Sequence, residues 1–215
     1  MKKAPPSVVV LISGRGSNLE AIVRHAKTTG EYEVKAVVSN RPNAGGLEFA
    51  LAHDIPVRVI DHKLFESRDE FDAMLGRQIA ELEPDVVALA GFMRILTPSF
   101  VARFEGRLLN IHPSLLPAFT GLNTHQQALN AGVRVHGVTV HLVTAELDHG
   151  PILDQAVVQV HEGDTAESLA NRVLQLEHQI YPRAIARFAN QQLKLAGGQI
   201  QGAKTMSLFH SLKSP

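Results

Sequence analysis

Apolar runs alternating with amphipathic segments dominate the first half of this chain and leave it few folds. SVVVLI at Ser7–Ile12 has the continuous β-branched character of a strand buried on both faces, and residues 18–28 carry Leu19, Ile22, Val23 and Ala26 at helical spacing. EVKAVVS at Glu33–Ser39 precedes a second helical segment at 45–53, and residues 57–60 precede a third at 68–82. DVVALA at 85–90, bounded by Pro84 and Gly91, and residues 107–111 supply two further strand candidates. This rhythm, with connections of a few residues, requires a parallel sheet covered by helices on both faces.

The pattern changes from Val135. VHGVTVHLV and ILDQAVVQV, on either side of a turn-rich LDHG, read as two adjacent strands joined by a short loop. A long helix is predicted over 165–190, with Pro182 expected to kink it. Gly197–Gly198 and the polar stretch to Pro215 read as a less ordered tail. The expected class is α/β: a Rossmann-like open twisted sheet, parallel in its N-terminal part with helices on both faces, and with antiparallel strands added towards the C-terminus. With no internal repeat and no low-complexity linker, 215 residues read as one domain.

Charge and residue usage narrow the function classes. Lys plus Arg equals Asp plus Glu, 21 against 21, so the surface lacks the positive excess that nucleic acid requires. Without cysteine there is no disulfide framework, thiolate zinc site or thiol nucleophile. No apolar run approaches the roughly 20 residues that span a bilayer. MKKAPPSVVVLISG has a basic start, but its apolar part is too short for a secretory signal. The expectation is a soluble cytoplasmic protein without a membrane or nucleic-acid partner.

Ligands of open α/β sheets bind beyond the carboxyl ends of the parallel strands. Five loops lie there, after Ile12, Ser39, Ile60, Ala90 and Ile111. The first is SGRGSN, residues 13–18, whose two glycines and following helix N-terminus form either an anion site suited to one phosphate or a tight turn capped by Ser17 or Asn18. Leu19 stands where a dinucleotide fingerprint needs a third glycine, and no Walker lysine follows. The fourth loop, GFMRIL at 91–96, stays apolar past its strand. It lines a pocket for a flat ligand, with Arg94 as a charged contact, or packs under a helix.

The fifth loop carries the sharpest signal. In LLNIHPSLLP, Asn110 and His112 lie two apart and project to one side of an extended segment, while Ile111 points into the core. An amide donor and a protonatable ring at a strand's carboxyl end suit stabilisation of a developing oxyanion. ELDHGP offers an acid to orient the imidazole, with Asp148 favoured because Gly150 lets the backbone fold tightly beside it. The competing use of the eleven histidines is a metal site, but His136 and His141 are five apart on a strand and no H-E-x-x-H motif occurs. His25, His53, His62, His161, His178 and His210 read as ordinary surface residues.

Taken together and in order, LISGRGSNL, LAGFMRIL, LLNIHPSLLP followed by Gly121 and His125, HGVTVHLV and ELDHGPI closely resemble the 10-formyltetrahydrofolate-dependent formyltransferase family, in its branch acting on glycinamide ribonucleotide. The resemblance runs from about Val8 to Phe188. It implies transfer of a formyl group from the cosubstrate 10-formyltetrahydrofolate to the amine of glycinamide ribonucleotide, without a metal, by a monomer or homodimer. It implies catalytic roles for Asn110, His112 and Asp148, and ribonucleotide binding by Gly16, Ser17, Asn18 and Glu177. Folate contacts are implied for Arg68, for Met93, Arg94, Ile95 and Leu96, for Asn110, and for Thr144, Ala145, Glu146, Leu147 and Asp148. A nucleotide and phosphate-binding half is implied at 1–111, a folate-binding and catalytic half at 112–190, and a tail at 191–215.

Thr120 departs from the proline that commonly precedes the family's glycine, and Thr139 keeps the hydroxyl of a usual serine. Arg15 adds positive charge to the first loop, and His149 follows Asp148 at a variable position. Glu177 borders the apolar stripe of Val173, Leu176 and Ile180, an awkward place for a carboxylate unless a ligand uses it. The rivals are a 10-formyltetrahydrofolate hydrolase, a methionyl-tRNA formyltransferase and a non-catalytic phosphosugar-binding module. The first leaves SGRGSN without a clear task. The second needs a basic surface and a further C-terminal domain. The third has no need of Asn110, His112 and Asp148.

Overall fold

A computed structural model describes residues 4–202 of the chain. Its main sheet has seven strands: β1 (Ser7–Ile12), β2 (Glu33–Ser39), β3 (Val57–Val59), β4 (Val86–Leu89), β5 (Leu108–His112), β6 (Val135–Leu142) and β7 (Ile152–Gln159). The order is β3-β2-β1-β4-β5-β6-β7. The first five strands run parallel, and β6 and β7 are added antiparallel. Each predicted strand therefore lies within a residue of its expected bounds. The strand order reverses between β1 and β4, which opens the crevice where such sheets take ligands.

Burial on both faces explains the unbroken apolar runs. Along β1, Val8, Val10 and Ile12 enter one core cluster while Val9 and Leu11 enter the other. Helices α1 (Ser17–Thr29) and α6 (Ala166–Ala189) cover the first face, and α3 (Arg68–Ala80) and α4 (Pro98–Arg103) cover the second. Helix α2 (Gly45–Ala52) packs beside the first loop, and α5 (Thr124–Asn130) precedes β6. Helices α4 and α5, of six and seven residues, are too short for a helical period to mark their bounds in the sequence. Tyr181 of α6 is fully buried, with its hydroxyl 3.0 Å from the Leu89 carbonyl and 3.2 Å from that of Leu109. It pins the helix to β4 and β5 just before Asn110.

Two expectations need correction. The stretch read as a less ordered tail contains a hairpin, β8 (Leu193–Ala196) with β9 (Gln199–Gly202). Gly197 (φ 59°) and Gly198 (φ 77°) both adopt positive φ, as a two-residue type I′ turn requires, so the glycine pair marks a turn and not an end of order. Residues 203–215, and with them His210, lie outside the described residues. His62 and His178 are half-buried: the His62 Nδ1–H donates to the Asn40 carbonyl at 2.8 Å, and burial holds the His178 pKa below its usual value. Helix α6 lies within a residue of its expected bounds, with Pro182 buried inside it.

Candidate active site

The sheet brings two of the five carboxyl-end loops together at the switch point. After β1, Gly16 caps α1 with φ 86°, a left-handed conformation that favours glycine. A Cβ there would lie 2.8 Å from the Gly46 Cα, so the loop and the start of α2 approach to backbone contact. Ser17 and Asn18 follow in the first turn of α1, where unsatisfied N–H groups point outward. Asn18 Nδ2–H donates to Glu177 Oε2 of α6 at 2.7 Å, while Asn18 Oδ1 is buried without a hydrogen-bond partner. Burial raises the Glu177 pKa, partly offset by the Asn18 hydrogen bond. The carboxylate expected at the border of the helix is buried and faces the first loop.

After β4, Met93 and Ile95 are 66% and 60% exposed, an unusual exposure for neighbouring apolar side chains, and Leu147 of the β6–β7 loop is 53% exposed. The Arg94 guanidinium lies over the Phe71 ring, 4.8 Å from its centroid, and its Nε is buried without a partner. Leu96 packs against the core on that face. Arg68 begins α3, exposed, and among the described residues it makes no hydrogen bond or ion pair. Thr144, Ala145 and Glu146 precede Leu147, with the Thr144 hydroxyl donating to the Glu146 carbonyl at 3.1 Å. His149 is exposed and lies near Glu146, 3.7 Å away.

Asn110 and His112 sit on β5, and Asp148 reaches them from the loop after β6. His112 and Asp148 are both buried, with Nδ1 3.6 Å from Oδ1. The other ring nitrogen, Nε2, lies 3.0 Å from the Phe119 carbonyl. That oxygen only accepts, so Nε2 carries a proton, and the Asp148 carboxylate faces Nδ1. Asp148 adopts φ 57° and accepts from the Gly121 N–H through Oδ2 at 2.9 Å. Thr120 thus still delivers a turn that places Gly121 on the carboxylate.

His141 stands directly opposite Asn110 in the antiparallel register. Its Nδ1–H donates to the Leu142 carbonyl at 2.8 Å, leaving Nε2 to accept from Asn110 Nδ2 at 3.3 Å. Burial holds the His141 pKa below its usual value, which keeps this neutral tautomer. One Asn110 N–H is therefore anchored and the second remains to meet a ligand. The register could not be read from the sequence, where His141 entered only as a possible metal ligand. Among the described residues no group of three or more His, Cys, Asp or Glu side chains is placed to hold a metal.

The backbone around this site is braced. Thr139 Oγ1 donates to the Ser114 carbonyl at 2.7 Å and accepts from the Leu116 N–H at 3.0 Å, which secures the segment after His112. A Cβ on Gly150 would lie 1.6 Å from the Leu142 carbonyl oxygen. Gly150→Ala is accordingly expected to push the Asp148 loop outward and to cost at least about 2 kcal/mol of stability. Denaturant unfolding of the variant beside the parent checks this.

A second histidine pair lies behind the loop. His136 is buried, with Nε2 3.2 Å from His125 Nδ1. Burial first, and then the neighbouring His125, push its pKa down to about 4. An unfolded histidine titrates near 6.5, so the folded form is at a disadvantage once pH falls below that value. The His136 contribution is fully present above about pH 6.5 and is lost on descending towards pH 4. The Tm should fall more steeply over that interval for the parent than for His136→Gln, as thermal melts at stepped pH would show.

Comparison with known proteins adds a separate line of observation. The chain matches the Formyl transferase family over residues 7–185. It is 50% identical over 190 residues to the phosphoribosylglycinamide formyltransferase of Escherichia coli (strain K12), covering 88% of this chain and 90% of that protein. The corresponding protein of Haemophilus influenzae is 44% identical over 190 residues, covering 87% and 89%. Among solved structures, phosphoribosylglycinamide formyltransferase from Coxiella burnetii in complex with CHES superposes with a TM-score of 0.87 at 47% identity, covering 91% of this chain and 92% of that one.

Proposed function

The chain belongs to the formyl transferase family, and from that premise we propose that it transfers the formyl group of 10-formyltetrahydrofolate to the amine of glycinamide ribonucleotide, a step of purine biosynthesis. The observation that carries the site assignment is the meeting of Asn110, His112 and Asp148 at the carboxyl end of β5, with the His112–Asp148 contact at 3.6 Å. On the ribonucleotide side, Gly16, Ser17 and Asn18 hold the phosphate at the α1 N-terminus, and Glu177 accepts from its hydroxyls. On the folate side, the exposed apolar Met93, Ile95 and Leu147 offer surface to a flat ring, with Arg68, Arg94 and the 144–148 loop around it. All these groups come from one chain.

In the reaction the amine forms a bond to the formyl carbon, and negative charge develops on the formyl oxygen. Asn110 meets that oxygen with the N–H that His141 leaves unused. His112 meets it by exchanging its Nε2–H bond to Phe119 for one to the oxygen. A well-placed donor of this kind contributes about 3 kcal/mol to the transition state. Asp148, facing Nδ1 of the ring, supports passage of the proton from the attacking amine to the leaving nitrogen, whose bond to the formyl carbon breaks.

Formyl transfer followed with and without glycinamide ribonucleotide tests the reading. Turnover that requires the amine is expected. Equal loss of formyl in its absence would instead identify a hydrolase, and ribonucleotide binding without turnover would identify a binding module.

A further inference from the structure

Ser13 occupies the switch point of the sheet and was not among the residues singled out in the sequence. It is the first residue beyond β1, with its side chain 3% exposed. Its hydroxyl donates to Asn40 Oδ1 at 2.6 Å and accepts from the Met93 N–H at 2.8 Å. Asn40 is the first residue beyond β2 and is 1% exposed. The Asn40 backbone carbonyl in turn accepts from the His62 ring at 2.8 Å, which holds in place the residue that carries the Ser13 acceptor. β1 lies between β2 and β4 in the sheet, and one hydroxyl thus ties its end to both neighbouring loops.

Two of the three loops so joined, the one after β1 and the one after β4, are those to which the two substrates are assigned. Ser13 is three residues before Gly16 in the phosphate loop, and Met93 opens the 93–96 segment on the folate side. A hydroxyl suits this place because it donates once and accepts at the same time. Alanine would leave both the Asn40 oxygen and the Met93 N–H without the partners they have here. We propose that Ser13 is a positioning residue that holds the ribonucleotide loop and the folate loop in mutual register for substrate binding. Ser13 touches neither reacting group, so its effect falls on capture of both substrates and leaves the chemical step at β5 intact.

The inference rests on the formyltransferase reading, and the experiment separates the two. Ser13→Ala and the parent are compared in formyl transfer with each substrate varied in turn, at a temperature where circular dichroism shows both folded. The expected result is a joint rise of roughly tenfold in KM for glycinamide ribonucleotide and for 10-formyltetrahydrofolate, with kcat within threefold of the parent. A merely structural role would lower Tm and leave both KM values in place. Unchanged KM values, a rise for one substrate alone, or a loss confined to kcat overturns the proposal. Should Ser13→Ala fail to fold, Asn40→Leu removes the acceptor that aims the hydroxyl and is judged by the same joint rise or its absence. A parent without amine-dependent transfer would instead overturn the functional reading.

Discussion

Replacing Asp148 with asparagine is expected to lower kcat by about 10²- to 10³-fold while leaving KM for both substrates within a few-fold. The substitution is nearly isosteric, and an amide oxygen can still accept from the Gly121 N–H that now meets Oδ2 at 2.9 Å. The loop should therefore keep its place. What disappears is the negative charge 3.6 Å from His112 Nδ1, and with it the group that supports proton passage at the ring. Steady-state rates for the parent and Asp148→Asn check the size of the loss. Parental kcat at neutral pH would remove Asp148 from the mechanism.

His112→Ala should show the largest loss, about 10³-fold or more in kcat, because the variant loses an oxyanion donor and a proton-bearing group together. Binding should suffer little. The ring's present partners are Asp148 and the Phe119 carbonyl, so neither the phosphate loop nor the 93–96 segment depends on it for a hydrogen bond. Some destabilisation will accompany the loss of a buried ring, so substrate affinities need to be measured on folded protein by calorimetry.

The strands were legible because burial on both faces writes itself as continuous β-branched runs. Ser7–Ile12 and Glu33–Ser39 have the bounds expected of them. The hairpin at β8 and β9 was missed because glycine was taken as a loss of order, although a pair with positive φ between short alternating segments is itself a turn signal. At the site, period-two geometry was enough to place Asn110 and His112 on one side of β5. Their partners were not readable in this way. Asp148 is 36 residues beyond His112, and its approach depends on Gly121, Gly150 and its own positive φ, which no local periodicity encodes. The family resemblance supplied that pairing. His141 escaped because its meeting with Asn110 depends on antiparallel register, and Ser13 because its meeting with Met93 depends on strand order. Residues that act through a neighbour across the sheet become visible only once the topology is known.

The most direct test of the account concerns Asn110, since its amide exchanges no proton and isolates stabilisation of the oxyanion. His141 already holds one of its N–H groups, so the account assigns the other to the transition state alone. Single-turnover formyl transfer by Asn110→Ala, measured beside the affinities for glycinamide ribonucleotide and a folate product, separates the two possibilities. The expected rate is about 10²- to 10³-fold below the parent, with both affinities within threefold. A near-parental rate, or a loss carried wholly by the affinities, would contradict an oxyanion site at the end of β5.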